Sequence, residues 1–389
     1  MINMKILIAP DKFKGALNAQ AVAQNIAIGL LDVLSDAQIE IVPMADGGEG
    51  TAEAICDARD CSWIGCKTYD PLGREIDALY GWIEQEKLAV MEMSEAAGMR
   101  RLSESERDPI RATTFGVGEM ILDASKRGAK EIVIGLGGSA TNDGGFGMAR
   151  ALGYRFFSDA NELTGAVSDL QSLTKIEDPV VAGVSPDNSK TQPARLPRQL
   201  NIIAAVDVKN PLLGENGATR VFGPQKGASK TDLDNLERTL TRLADVVATE
   251  FGFDYRDQAG AGAAGGLGFG LLSFCGGTIR PGFEVVAEAV GLERKMKDAD
   301  LVITGEGSLD RQTLEGKTPA GVARLARKLH KPVFAIVGRA SDDPELGVLF
   351  DGIYQNTRLG MSQQENIKRA AELLRENARE LADTFGVGL

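Results

Sequence analysis

Histidine is almost missing from this chain: His330 is the only one in 389 residues. General acid–base chemistry built on imidazole, and metal sites built on several histidines, are excluded as a class. The lone His330 lies in "LARKLHKP", read as the last turn of a helix stopped by Pro332, where a cation suits the helix dipole. Any proton acceptor must then be a carboxylate or a lysine. Cysteine is also sparse, with Cys56, Cys61, Cys66 and Cys275 alone, and none forms a CxxC pair. The even spacing of the first three invites a metal reading, yet no histidine or fourth ligand stands near, so reduced thiols are expected. Basic charge is in deficit, with 43 Lys and Arg against 55 Asp and Glu and a net charge of −12. A nucleic acid or an anionic membrane is therefore a poor partner. Long apolar runs are lacking as well, and the N-terminal "MINMKILIAPDKFKG" turns polar too early for a signal peptide, so no membrane span and a cytoplasmic location are expected.

Glycine is present in excess. Of the 389 residues 46 are glycine, well above the roughly 7% of average usage, and they cluster, as loops do whose backbone must come close to a ligand. The chain is also too long for one ordinary core, since domains usually hold about 100 to 200 residues. Its 43% of hydrophobic residues are enough to bury two.

Short β-rich runs repeatedly end in a polar, glycine-bearing loop and then a helical pattern, the signature of parallel α/β units. "MKILIA" leads to "PDKFKGALN" and a helix from Ala19 to Leu34 with Asn18 as N-cap. "IEIVPMA" leads to "DGGEG" and a helix from Thr51. "KEIVIG" leads to "GLGGSATNDGG" and "FGMARAL"; "DADLVIT" leads to "GEGSLDRQTLEGKTP" and "AGVARLARKLH". "NIIAAV" runs into "DVKNPLLG", "KPVFAIVG" and "GIYQNT" read as later strands, and Gln363 to Phe385 reads as one helix. Ligands of open parallel sheets bind beyond the carboxyl ends of the strands, and that is where the unusual residues fall. The proline-rich stretch at 174–199 reads as an exposed loop. "GAGAAGGLGFG" at 260–270 is read equally as a ligand loop or as a tightly packed helix.

Asp11, Lys14, Asp46, Glu49, Asn142, Asp143, Asp207, Glu306, Asp310 and Lys317 all lie in these strand-end loops. Phosphoryl transfer uses such a set: carboxylates for Mg²⁺, cations for phosphate oxygens, glycine amides around the anion and one carboxylate to orient a hydroxyl. Two familiar motifs compete. Gly135, Gly137 and Ala140 fit GxGxx(G/A), with Asp159 placed as a ribose-binding acid, but the polar "SATNDGG" delays the helix to about Gly145. "GKT" at 316–318 ends like a P-loop, but the required first glycine is Arg311. A nucleotide-dependent oxidoreductase and a non-catalytic metabolite-binding regulator stay open as alternatives at this point.

"APDKFKGALNA", "PMADGGEGT", "GLGGSATNDGG", "DVKNPLLG", "FGPQKGA", "GAGAAGGLG" and "DLVITGEGSLDRQTLEGKTPAGVA" occur in one order along nearly the whole chain. In this it resembles the class I glycerate kinases, the glycerate 2-kinase family. The resemblance implies ATP- and Mg²⁺-dependent phosphorylation of D-glycerate at its 2-hydroxyl, giving 2-phosphoglycerate and ADP. It implies two α/β domains, one Rossmann-like with a parallel sheet and a second inserted into it, with the active site in the interdomain cleft. The expected limits are 1–67 plus 290–389 for the first and 68–289 for the second. Lys12, Ala16 and Asn18 stand where the family pattern has serines. Asp207 ends "NIIAAV" ahead of a rigid "NP" turn and is expected to orient or deprotonate the acceptor hydroxyl, with Lys14 and Asp143 as further catalytic candidates. Asp11, Gly47, Gly48, Gly137, Gly138, Ser139, Thr141, Asn142 and Lys317 are the candidates for substrate or phosphate, and Asp46, Glu49, Glu306 and Asp310 for metal. Which loop holds ATP and which glycerate is left open, as is a homo-oligomeric state.

Overall fold

The computed structural model of the chain describes residues 4–179, 196–197, 199–358 and 360–386. The proline-rich stretch falls largely outside the described residues. Two compact units emerge: Met1–Arg59 with Pro281–Leu389, and Asp60–Arg280. The expected first limit, position 67, falls inside the strand Ser62–Tyr69, which is paired along its whole length with Glu75–Ile83. The division therefore comes before that ladder.

The first unit is built on a five-stranded parallel sheet. Its spatial order is Gly352–Gln355, Val333–Val337, Leu301–Thr304, Lys5–Ile8 and Gln38–Ile41. The short apolar runs KILI and LVIT form adjacent central strands because both faces of a parallel sheet are covered. Chain order runs outward in opposite directions from the Lys5–Ile8/Leu301–Thr304 pair, which makes the carboxyl end of that pair the topological switch point of the sheet. The helix Ala19–Leu31 starts as expected at Asn18, whose side chain accepts from the Ala21 amide at 2.9 Å. It packs on the C-terminal helix Ala370–Gly386. The last helical stretch is two helices, Gln363–Lys368 and Ala370–Gly386, meeting at Arg369.

The second unit holds a six-stranded mixed sheet ordered Thr278–Pro281, Asn201–Val206, Glu131–Gly135, Leu88–Glu92, Glu75–Ile83, Ser62–Tyr69. The middle three strands are parallel to one another, and the last two join antiparallel. A separate three-stranded sheet carries Arg155–Ser158. The glycine run at 260–270 belongs mostly to the helix Ala263–Cys275, where it serves packing: a Cβ at Gly268 would meet the Gly260 carbonyl, and one at Gly270 the Gly144–Gly145 backbone. Cys56 and Cys61 are disulfide-bonded, where reduced thiols were expected. The helix Thr51–Ala58 ends between them, and Cys66 and Cys275 are free. Among the described residues no helix is long and apolar enough to cross a membrane.

Gly29 lets the helices Ala19–Leu31 and Ala370–Gly386 approach, since a Cβ there would meet the Arg375 carbonyl and the Ala378 methyl. Alanine at an ordinary helix position gains about 1 kcal/mol over glycine. Overpacking against backbone costs about 1–3 kcal/mol. Gly29→Ala is therefore expected to lower stability by up to about 2 kcal/mol, visible as a reduced midpoint in urea unfolding; a raised midpoint contradicts the packing.

Candidate functional site

In the first unit the switch point carries the acids. The Asp11 amide bonds the Gly305 carbonyl at 2.8 Å, lacing the loop after Lys5–Ile8 to the loop after Leu301–Thr304. Asp11 is 6% exposed and accepts from the Lys12 amide at 2.7 Å and from the Thr318 hydroxyl at 2.9 Å. Glu306 is 8% exposed and accepts from the Thr313 hydroxyl at 2.6 Å. Burial first, then the Asp46 carboxylate, pushes Asp11 up to about 7, against the pull of Lys12 and its own hydrogen bonds. Glu306 is likewise pushed up to about 7, first by burial; Thr313 and Lys317 pull it back, while Asp11 and Asp46 add to the rise. Asp11, Asp46, Glu306 and Lys317 thus form one electrostatic group.

The loop after Gln38–Ile41 completes it. Asp46 takes the Gly48 amide at 3.1 Å, Gly47 and Gly50 have φ of 92° and 95°, and the turn leads into the N-terminus of Thr51–Ala58. Gly282 lies against the Asp46–Gly47 peptide, where a side chain would collide. Thr51 is buried and its hydroxyl has no partner among the described residues. Glu49 enters through its backbone, its carbonyl accepting from the Lys12 ammonium. Lys14 is exposed on the tight turn closed by Phe13 and Leu17, and Lys317 caps the helix Thr318–Lys328. Asp310 opens the turn whose Thr313 reaches Glu306.

Donors here are oxygen atoms, which suits a hard cation such as Mg²⁺. Among the described residues no three His, Cys, Asp or Glu side chains converge on one point. Asp11 and Glu306 are the residues best placed to hold such a cation, with Asp46 beside them.

In the second unit three adjacent parallel strands end together. Register aligns Glu92, Gly135 and Ala205, so the Ser94–Met99 segment, the Gly137–Ser139 loop and Asp207 follow from neighbouring strands. The glycine loop is strapped at one side: the Met99 amide bonds the Gly138 carbonyl at 2.8 Å and the Ala140 amide the Ala97 carbonyl at 2.9 Å. Among the described residues no protein acceptor takes the amides of Gly137, Gly138 or Ser139, and Gly138 is exposed with φ of 71°. Free amides of this kind form an anion-binding concavity.

The polar residues that follow are turned inward. Asp143 has no exposed surface, and its carboxylate accepts from the Thr114 amide and hydroxyl, both at 2.8 Å, and from the Gly145 and Gly147 amides, both at 3.1 Å. Burial raises its pKa and those four donors oppose the rise. With both oxygens so engaged, Asp143 ties the turn instead of facing a ligand. The Asn142 amide donates to the Thr219 hydroxyl at 3.0 Å, and the Thr141 carbonyl accepts from Lys226 at 2.7 Å. The Thr141 hydroxyl and the Asn142 side-chain carbonyl are buried with no partner among the described residues.

The dinucleotide reading fails on geometry. The helix after the loop begins only at Phe146 and is six residues long, and Asp159 sits in the tight turn between Arg155–Ser158 and Asn161–Glu162, with φ of 53°. Sequence reasoning passed over Ser94–Met99, Thr114, Thr219, Lys226, Gly282, Thr313 and Thr318. Lys226 lay inside the quoted "FGPQKGA" and Thr318 next to the selected Lys317, so adjacency to a glycine-rich signature was the available signal.

The model of the glycerate kinase family matches residues 6–386. Escherichia coli K12 has a protein named glycerate 2-kinase that is 40% identical over 391 residues, covering 99% of each chain. A glycerate kinase of Halalkalibacterium halodurans is 40% identical over 382 residues, covering 97% of each. A crystal structure described as a putative glycerate kinase 2 from Salmonella typhimurium LT2 superposes with a TM-score of 0.83 at 39% identity, covering 100% of this chain and 99% of the other. The same strand-end loops, read as a phosphoryl-transfer set, fit these relatives, and the chain belongs to the glycerate kinase family.

Proposed function

We propose that this chain transfers the γ-phosphoryl group of ATP to the 2-hydroxyl of D-glycerate, giving 2-phosphoglycerate and ADP with Mg²⁺ as cofactor. The observation that supports this reading is the group of acids at the switch point of the first unit's sheet, Asp11 and Glu306 buried and Asp46 half-buried. Asp11 and Glu306, both pushed up to about 7 by burial and by neighbouring carboxylates, with Asp46 beside them, make a site that gains from a divalent cation. Mg²⁺ bound with the nucleotide would neutralise phosphate charge there.

Each protein group then has a task. Asp11, Glu306 and Asp46 hold the metal–nucleotide, Glu49 and Asp310 stand in the adjoining turns, and Lys317 and Lys14 offer positive charge to phosphate oxygens or to the substrate carboxylate. Gly47 and Gly48, at the N-terminus of the helix after them, present backbone dipoles to an anion. In the second unit the amides of Gly137, Gly138 and Ser139 take an anionic group. Thr141 and Asn142 shape the turn behind them, and Asp143 fixes it. Asp207, half-buried at the end of the Asn201–Val206 strand, accepts the proton of the glycerate hydroxyl as that oxygen bonds to phosphorus and the bond to ADP breaks. With one histidine, exposed at a helix end, a carboxylate is the natural base.

Removing the base gives the first check. Asp207→Asn is expected to lower kcat by about 10²- to 10⁴-fold in an ADP-release assay with D-glycerate. Product analysis of the wild type should show 2-phosphoglycerate. Near-normal turnover of the variant removes Asp207 from the mechanism, and 3-phosphoglycerate as sole product overturns the regiochemistry.

A second expectation follows from the raised acids. A folded-state pKa above the ordinary carboxylate value means that the native state binds the proton more tightly than the unfolded chain. The stability this contributes is present below about pH 4 and is lost as pH rises through about 7. Without nucleotide, the Tm should therefore fall across that window through Asp11 and Glu306. Asp11→Asn keeps the neutral form at every pH, so it should raise Tm over wild type at pH 8 and converge with it near pH 4. A Tm at pH 8 no higher than wild type contradicts the assignment.

A further inference from the structure

Lys226 is a fully enclosed ammonium group that the reaction as described does not use. It ends the short turn Pro224–Lys226, is 1% exposed, and is followed by Gly227 with φ of 98°. A Cβ at Gly227 would strike the Arg107 carbonyl, so the chain there is folded tightly and the lysine is driven inward. Its ammonium reaches the Thr141 carbonyl at 2.7 Å. That carbonyl also abuts Gly265, which has φ of 67° and no room for a side chain against Thr141 and Asn142. The Gly144 amide in turn bonds the Gly265 carbonyl at 3.0 Å.

The turn at Thr141–Asn142 is therefore gripped by four residues. Lys226 and Gly265 hold the Thr141 carbonyl, Thr219 holds the Asn142 amide, and Thr114 holds Asp143. Burying an ammonium is expensive, and one carbonyl with a neighbouring carboxylate returns only part of that cost. Burial pushes Lys226 down to about 7, with Asp143 opposing the shift. An apolar side chain would fill the same space at less expense but would leave the Thr141 carbonyl without its donor. What the lysine supplies beyond filling is the orientation of that one peptide, two residues past Ser139.

We infer that Lys226 is a positioning residue for the Gly137–Ser139 loop: by holding the Thr141 carbonyl it keeps the three unpartnered amides aligned for a phosphate or carboxylate oxygen. The opposite side of the loop is already fixed by the Ala97 and Met99 strap, so Lys226 closes the frame. This rests on the reading of that loop as an anion site.

The experiment uses the full chain. Amide hydrogen exchange is first measured over residues 137–142 of the wild type, with saturating Mg–ATP and, separately, with D-glycerate. One of the two is expected to protect the loop. Steady-state kinetics are then compared for Lys226→Met, Lys226→Arg and Gly265→Ala. Lys226→Met and Gly265→Ala should raise KM at least tenfold for the protecting substrate while leaving the other KM within twofold, and Lys226→Arg should recover part of the loss. Tyr154→Phe, which deletes a hydrogen bond to the Phe274 carbonyl in the same unit, serves as a structural control and should leave both KM values within twofold despite its lower Tm. If Lys226→Met does not fold, Lys226→Gln is read in its place. The inference is overturned if the lysine and glycine variants leave both KM values unchanged, or raise both in equal proportion. If neither substrate protects the wild-type loop, the anion-site reading itself falls, and the inference with it.

Discussion

Parallel strand pairing is the constraint on which the rest depends. A parallel strand must be re-entered from the same edge as its neighbour, so every connection leaving the sheet starts on one edge. In the first unit this lands Asp11, Asp46 and Glu306 together, although they are far apart in sequence. In the second it lands the Ser94–Met99 segment, the glycine loop and Asp207 on consecutive strands. Charge repulsion among the acids and the gathering of the loop amides both follow from that sorting, since neither loop set chooses its neighbours by local propensity.

The strands that carry these loops were legible because their signal is local. KILI, EIVIG, NIIAAV and LVIT are short apolar runs bounded by polar glycine-bearing turns, and each forms a strand where expected. The helix cap at Asn18 was legible for the same reason. What was hidden depends on distant partners. Asp143 looks like any carboxylate in a ligand loop until Thr114 is found against it, 29 positions earlier. Lys226 looks like a surface cation until the chain folds it onto Thr141, 85 positions back. The disulfide at Cys56 and Cys61 was missed because spacing alone does not reveal which way two thiols point across a helix end.

Glycine illustrates how one composition signal divides into two physical uses. At Gly138 the missing side chain leaves backbone open to solvent, and at Gly47 a positive φ turns the chain toward a helix N-terminus. At Gly265, Gly270 and Gly282 the same absence lets two backbones touch. The second group supports the first, since Gly265 abuts the turn that follows the exposed loop and Gly282 backs the Asp46–Gly47 peptide. An excess of glycine therefore reports binding loops and their scaffolding together, and sequence alone does not separate them.

The discontinuity of the first unit sets an order of events during synthesis. Asp11 and Asp46 leave the ribosome early, while Glu306, Lys317 and Thr318 follow only after the whole of Asp60–Arg280. At about 5–20 residues per second that gap lasts tens of seconds. Throughout it, the Lys5–Ile8 strand lacks its central neighbour Leu301–Thr304, and the inserted unit has every residue it needs to fold first. The nascent chain thus carries an apolar strand that has only its Gln38–Ile41 neighbour to pair with, its other edge open until the inserted unit has been made, so the central pairing of the first unit's sheet is the last to become available.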